Sequence, residues 1–90
     1  MSCSHSAEVD RRLARIEGQV KGVREMVAQG RQCEELLTQL SAVSSAVTQT
    51  ARVILTEHLT HTVAHGIEEG SSEQTIEDLK RAIDQFAKLK

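Results

Sequence analysis

Six residues carry side chains that could bind a metal ion or attack an electrophile: Cys3, His5, Cys33, His58, His61 and His65. Thiolate and imidazole together suit Cu(I), Zn(II), Ni(II) or Co(II). A thiolate beside positive charge also suits a small electrophile. Two cysteines in 90 residues are too few for a disulfide scaffold, so a reducing cytoplasm is expected. Each donor also has a plainer use. A lone Cys often serves as a small core residue, and histidines near a helix end can answer the helix dipole. Position has to decide.

A second set of residues could hold phosphate. Arg11, Arg12 and Arg15 fall close together, with Lys21 and Arg24 further along. Arg52 is the one charge between Thr38 and Thr56. The chain as a whole is not basic, with a net charge of −2, so any contact with a polyanion needs a local patch. Residues 1–32 supply it, with six Lys/Arg against four Asp/Glu. The plainer reading is a solvated face paired with Glu8, Asp10 and Glu17. No zinc-finger pattern, helix-turn-helix spacing or aromatic stacking platform is present.

Three helices must position these groups. From Val9 to Val27 apolar residues recur at Leu13, Ile16, Val20, Val23 and Val27, the steps of 3 and 4 that mark one helical face. Gly18 and Gly22 interrupt that helix and would let another helix come close, and Gly30 is a stop signal. The first helix is expected over about 8–29, after an arm over 1–7. The second is expected over about 32–66, on a stripe of Leu37, Leu40, Ser44, Val47, Ala51, Ile54 and His58. Gly66 to Ser72 reads as a turn, with Ser71 and Gln74 as a capping box. Ile76, Leu79, Ile83 and Phe86 then mark a third helix over about 72–89. The fold class is all-α, a single domain over 1–90.

Length makes the second helix informative. About 33 residues at 1.5 Å each span roughly 50 Å, more than one domain of this size can cover. Its middle is rich in Ser41, Ala42, Ser44, Ser45 and Ala46 and nearly uncharged. An oligomer is expected: an antiparallel four-helix-bundle dimer, then a dimer-of-dimers tetramer.

The same arithmetic brings the donors together. Cys33 and His58 share a stripe, yet 25 positions put them roughly 37 Å apart within one helix. A two-fold axis near Ser45 and Ala46 places Cys33 of one chain beside His58 of the other. If the first two helices form a hairpin turning near residue 31, residue 58 faces residue 4 of its own chain. Cys3 and His5 then fall at the same end, and Arg52 faces residue 10, near the other arginines.

Several classes drop out. No apolar run reaches the length of a membrane span, and the first residues lack the pattern of a signal peptide. No phosphate loop and no nucleophile–base–orienter set appears, so an enzyme is not expected. A cytoplasmic location is expected.

The run Arg12-Leu-Ala-Arg-Ile-Glu-Gly18-Gln-Val-Lys-Gly22, then Cys33, then Leu37-Thr-Gln-Leu-Ser-Ala-Val, then His58-Leu-Thr, resembles the CsoR/RcnR family of bacterial repressors. The similarity covers about residues 8–89. It implies an all-helical homodimer assembling into a homotetramer that binds operator double-stranded DNA until an inducer releases it. Most members sense Cu(I), Ni(II) or Co(II), and others respond to formaldehyde or reactive sulfur. Cys33 looks like the family's thiolate, and His58 matches the next ligand position. Arg12 and Arg52 match positions of DNA contact. Thr62 departs from the pattern, because copper sensors carry Cys there and nickel/cobalt sensors carry His. The formaldehyde branch tolerates a non-ligand at that position.

The expectation is a repressor released when a transition metal, Cu(I), Ni(II), Co(II) or Zn(II), binds among Cys33, His58, His61, His5 and Cys3. One alternative is a repressor answering formaldehyde or another thiol-reactive species, with no cofactor. An alternative of another class is a helical metal-buffering or assembly protein that never touches DNA. The expected DNA contacts are Arg11, Arg12, Arg15, Lys21, Arg24 and Arg52.

Overall fold

The computed structural model describes residues 7–89, and the expectations for Cys3 and His5 lie outside the described residues. Three helices follow in order: α1 (Ala7–Ala28), α2 (Cys33–Glu69) and α3 (Ser72–Ala87). The chain divides into two compact units, Ser6–Thr50 and Ala51–Lys90. α2 contributes to both.

The first unit is a hairpin of α1 with the N-terminal part of α2. Gly30 ends α1 as expected. It takes a φ of 74°, which glycine adopts without a Cβ penalty. Gly30 N–H donates to Val27 O at 3.1 Å and Arg31 N–H to Met26 O at 3.1 Å, the paired bonds of a Schellman stop.

The inward face of α1 differs from the expected stripe. Val9, Arg12, Ile16, Gln19, Val23 and Met26 are the buried or half-buried residues of that helix, with Gly22. Leu13, Val20 and Val27 are 47%, 43% and 60% exposed. α1 therefore carries two neighbouring apolar rows, one covered by its own chain and one open. The first part of α2 repeats this. Leu36, Val43, Ala46 and Thr50 turn inward, while Leu37, Leu40 and Val47 stay exposed. Ser41, Ala42, Ser44 and Ser45 are exposed as well. A Cβ added at Gly18 or Gly22 would meet nothing within 4 Å, so nothing in the described chain makes the close approach expected there.

The second unit is a hairpin of the rest of α2 with α3. α2 runs three residues past the expected end at Gly66, and Gly70, with φ 65°, is the true stop. Gly66 has a different task. It is buried, and a Cβ there would lie 1.9 Å from Thr75 Oγ1 of α3. Only glycine lets the two helices meet that closely. The expected capping box does not form. Ser71 precedes α3 without a side-chain cap bond, and Gln74 Nε2 donates to Asp78 Oδ1 at 2.9 Å instead.

Across the described residues Val9 is the one apolar side chain classed as buried, and no side chain reaches full burial. Buried apolar area stabilises by about 25 cal/mol per Å². The open rows are where this chain still has such area to bury. Among the described residues no helix is long and apolar enough to cross a membrane.

Candidate metal and DNA sites

Cys33 is the first residue of α2, exposed, and a free thiol. The Schellman stop at Gly30 and the two-residue link through Arg31 and Gln32 put it there. Arg31 bridges the link to the helix, its Nε donating to Glu35 Oε2 at 2.9 Å.

His58 belongs to the second unit. It is half-buried and lines two adjoining grooves between α2 and α3. One, about 330 Å³, is walled mainly by Ala51, Ile54, Leu55, Ala82, Phe86 and Leu89. The other, about 440 Å³, is more polar than the first and lined by Thr62, Asp78, Arg81, Ala82 and Gln85 beside His58. Arg81 and Asp78 form an ion pair within α3.

Thr62 is buried, 5% exposed, and its Oγ1 has no hydrogen-bond partner. Thr38, Thr50, Thr56, Thr60 and Thr75 each donate to the carbonyl four residues back, at 2.8–2.9 Å. Thr62 lacks that bond and lines the more polar groove. This orphaned hydroxyl was beyond reach of the sequence, which marks Thr62 only as a weak metal donor.

His61 and His65 are exposed, unlike His58. His65 Nε2 lies 3.1 Å from Glu69 Oε2. Among the described residues no three or more His, Cys, Asp or Glu side chains are grouped closely enough to hold a metal ion. Cys33 belongs to the first unit and His58 to the second.

The basic residues divide. Arg11, Arg15, Lys21 and Arg24 are exposed on α1 with no ion pair. Arg12 is half-buried and bonds Glu8, its Nε at 3.1 Å and Nη2 at 3.0 Å from Oε2. An exposed pair four residues apart contributes only about 0.3–0.5 kcal/mol, so a phosphate can displace it. At about 100° per residue, Arg11 and Arg15 share one face of α1 with Gly18 and Gly22. Arg12 flanks that face on one side and Lys21 on the other, while Arg24 points well away from it. Arg52 is exposed on α2 without an ion pair, in the second unit.

Comparison with known proteins gives these positions a context. The model of the metal-sensitive transcriptional repressor family matches residues 5–85. The copper-sensing transcriptional repressor CsoR of Bacillus subtilis is 39% identical over 87 residues, covering 97% of this chain and 86% of that protein. Among solved structures, the nickel-responsive transcriptional regulator InrS superposes with a TM-score of 0.86 at 38% identity, covering 96% of this chain and 97% of that one. The Cu(I)-bound copper-sensing repressor CsoR of Geobacillus thermodenitrificans gives a TM-score of 0.79 at 41% identity, covering 96% and 94%. These relatives are transcriptional regulators. A match through nearly the whole chain, by sequence and by fold, places it in the CsoR/RcnR family of metal-sensitive transcriptional repressors.

Proposed function

We propose that this chain represses by holding operator DNA and lets go when a transition-metal ion binds between Cys33 of one copy and His58 of another. One observation carries the reading. The exposed thiol and the groove-lining imidazole stand 25 positions apart (58 − 33) on one unbroken helix. An antiparallel pair of copies closes that gap. The open rows Leu13/Val20/Val27 and Leu37/Leu40/Val47 give the copies an apolar seam, and the small residues around Ser45 let the helices approach. The dimer is a four-helix bundle in this reading, and two dimers form the tetramer.

The donor chemistry fits a soft or borderline ion. Thiolate and imidazole take Cu(I), Ni(II), Co(II) or Zn(II), and relatives sense copper or nickel. Cys3, His5 or His61, or water, completes the coordination, with exposed His61 also free for the pairing with His65 argued below. The ion polarises nothing and drives no reaction here. It only binds one conformation better than the other.

DNA contact falls to Arg11, Arg12 and Arg15 on α1, flanked by Lys21, with Arg52 and Arg24 adding charge. Gly18 and Gly22 keep the strip beside Arg15 flat, which suits close approach of a phosphate backbone. Release follows from linkage: an ion that prefers the DNA-free state weakens DNA binding by the same free energy. The metal site and Arg52 both use α2, the element whose shift would couple them. The cell compartment in this reading is the cytoplasm, where operator DNA lies.

The test is a titration of the purified protein with Cu(I), Ni(II), Co(II) and Zn(II) under anaerobic reducing conditions, with a labelled operator duplex present. A stoichiometric complex with thiolate charge-transfer absorption that frees the DNA is expected. Cys33→Ala should keep DNA binding and lose release, and His58→Ala should weaken release. A Cys33→Ala protein that releases as the wild type does overturns the site. Lack of any salt-dependent duplex binding would instead favour a metal-buffering protein.

Thr62 favours a second reading, in which formaldehyde is the inducer. The buried hydroxyl supplies no strong donor four residues after His58. The Cys33 thiolate would add to the carbonyl carbon, and an amine of the arm would then displace water. The product is one methylene bridge, a mass gain of about 12 Da, driven by thiolate nucleophilicity. Intact-mass measurement separates the two inducers.

A further inference from the structure

His61 and His65 stand on the exposed surface of α2, whereas His58 lines the grooves against α3. Residues four apart on a helix have Cβ atoms about 5–6 Å apart. That spacing lets two imidazoles share one metal ion, as the two histidines of helical zinc sites do. His65 also stands beside a carboxylate, its Nε2 3.1 Å from Glu69 Oε2. A carboxylate on one ring nitrogen fixes the ring, raises its basicity and leaves the other nitrogen as the donor.

We propose that His61 and His65 form a two-imidazole site for a divalent first-row ion, Zn(II), Cu(II), Ni(II) or Co(II), with Glu69 holding the His65 ring. The site is separate from the Cys33/His58 pair. It offers two protein donors and leaves the rest to water, in keeping with the lack of any closer group of three or more donors among the described residues. Such a site exchanges its ion readily. Having no thiolate, it discriminates against Cu(I). His58 precedes His61 by three positions on the same helix, a step between neighbouring side chains. An ion at the pair is thus next to the imidazole assigned to the inducer site, and the pair serves to load it. The loading role rests on the reading of Cys33 and His58 above, but the existence of the pair does not.

A full-length protein carrying Cys3→Ala, His5→Ala, Cys33→Ala and His58→Ala keeps His61 and His65 as its only imidazoles and has no thiol, since the chain holds four His and two Cys. Calorimetric titration of this protein with Ni(II) or Zn(II) should show one ion per chain. Adding His61→Gln or His65→Gln should weaken binding at least about tenfold, because either change breaks the chelate. Glu69→Gln should weaken it by about tenfold through loss of the orienting carboxylate. Unchanged helix content with no saturable binding overturns the site. If the fourfold variant unfolds, wild-type histidine ring resonances decide. Zn(II) beyond one equivalent should shift the His61 and His65 signals, and shifts confined to His58 overturn the proposal. Failure of the inducer reading shows separately, as wild-type protein that gives no thiolate absorption or no DNA release.

Discussion

The two hairpins of this chain solve opposite problems. In the Ser6–Thr50 hairpin the two helices cover one row of each other and leave a second row open, at Leu13, Val20 and Val27 and at Leu37, Leu40 and Val47. In the Ala51–Lys90 hairpin they meet in near contact at Gly66 and Thr75, then leave grooves around His58 and Thr62. The first leaves apolar rows open to its surroundings, and the second leaves open grooves between its helices. Cations without ion pairs stand on both: Arg11, Arg15, Lys21 and Arg24 on α1, and Arg52, Lys80 and Lys88 in the second hairpin, where Arg81 is paired with Asp78. In the proposed reading, the open rows serve assembly, the α1 cations serve DNA and the grooves by His58 serve sensing, each with its own side chains.

The strongest way to break this contrast is to put charge on the open row. Leu37→Glu with Val47→Glu replaces side chains that are 65% and 38% exposed in the single chain. Surface changes away from special features shift stability by no more than about 0.5 kcal/mol. If the row is a seam, the effect is far larger, because two carboxylates would be buried without partners. Sedimentation at micromolar concentration should show an oligomer for wild type and a monomer for the double variant, with loss of helix content. An unchanged oligomer would show that the row faces solvent.

Glycines offer the next comparison. Gly66→Ala drives a Cβ to within 1.9 Å of Thr75 Oγ1, whose hydroxyl is held by Ser71 O at 2.8 Å. Overpacking of this kind costs about 1–3 kcal/mol. Gly18→Ala meets nothing within 4 Å in the single chain and should raise helix stability by up to about 1 kcal/mol. Denaturant melts of both variants should move in opposite directions. A loss at Gly18 would reveal a partner helix against that face.

Two arginines, one from each hairpin, test the proposed DNA contact. Arg15→Ala removes an exposed cation without an ion pair and should weaken operator binding and lower the salt slope by about one. Arg81→Ala removes a cation paired with Asp78 and should leave the slope unchanged. Fluorescence anisotropy on a short duplex across a salt series reads both. Equal slopes for Arg15→Ala and wild type would assign the α1 cations to solvent.

These contrasts were only partly legible beforehand. The three helices follow from apolar steps of 3 and 4, and Gly30 stops α1 where a glycine should. The periodicity of α1 was harder to read, because two adjacent apolar rows satisfy the same steps. Hydropathy alone cannot say which row a helix covers with its own chain. Gly66 misled for a related reason. A glycine near a helix end reads as a stop, yet here its missing side chain serves a contact with α3, and Gly70 makes the stop. Ser71 and Gln74 have the right types for a capping box, but Gln74 finds Asp78 one turn on. Cys33 and His58 stand out only as candidate donors, from type and spacing. The grooves beside His58 were not legible, since they depend on how α3 packs.

Two buried threonines give the smallest and most discriminating comparison. Thr50, in the first hairpin, is 3% exposed and donates to Ala46 O at 2.8 Å. Thr62, in the second, is 5% exposed with its hydroxyl unpartnered. Valine matches threonine in shape and removes only the hydroxyl. A hydrogen bond of this sort contributes about 0.5–1.5 kcal/mol net, whereas an orphaned buried hydroxyl costs about 1–3 kcal/mol. Thr50→Val should therefore lower stability by about 1 kcal/mol, and Thr62→Val should raise it by about the same amount. Urea melts of the two variants check the signs. The second sign matters more, because a hydroxyl kept at a cost to stability points to use. Should Thr62→Val also lower stability, its hydroxyl has a partner in the assembled protein, and the more polar groove is closed by another copy.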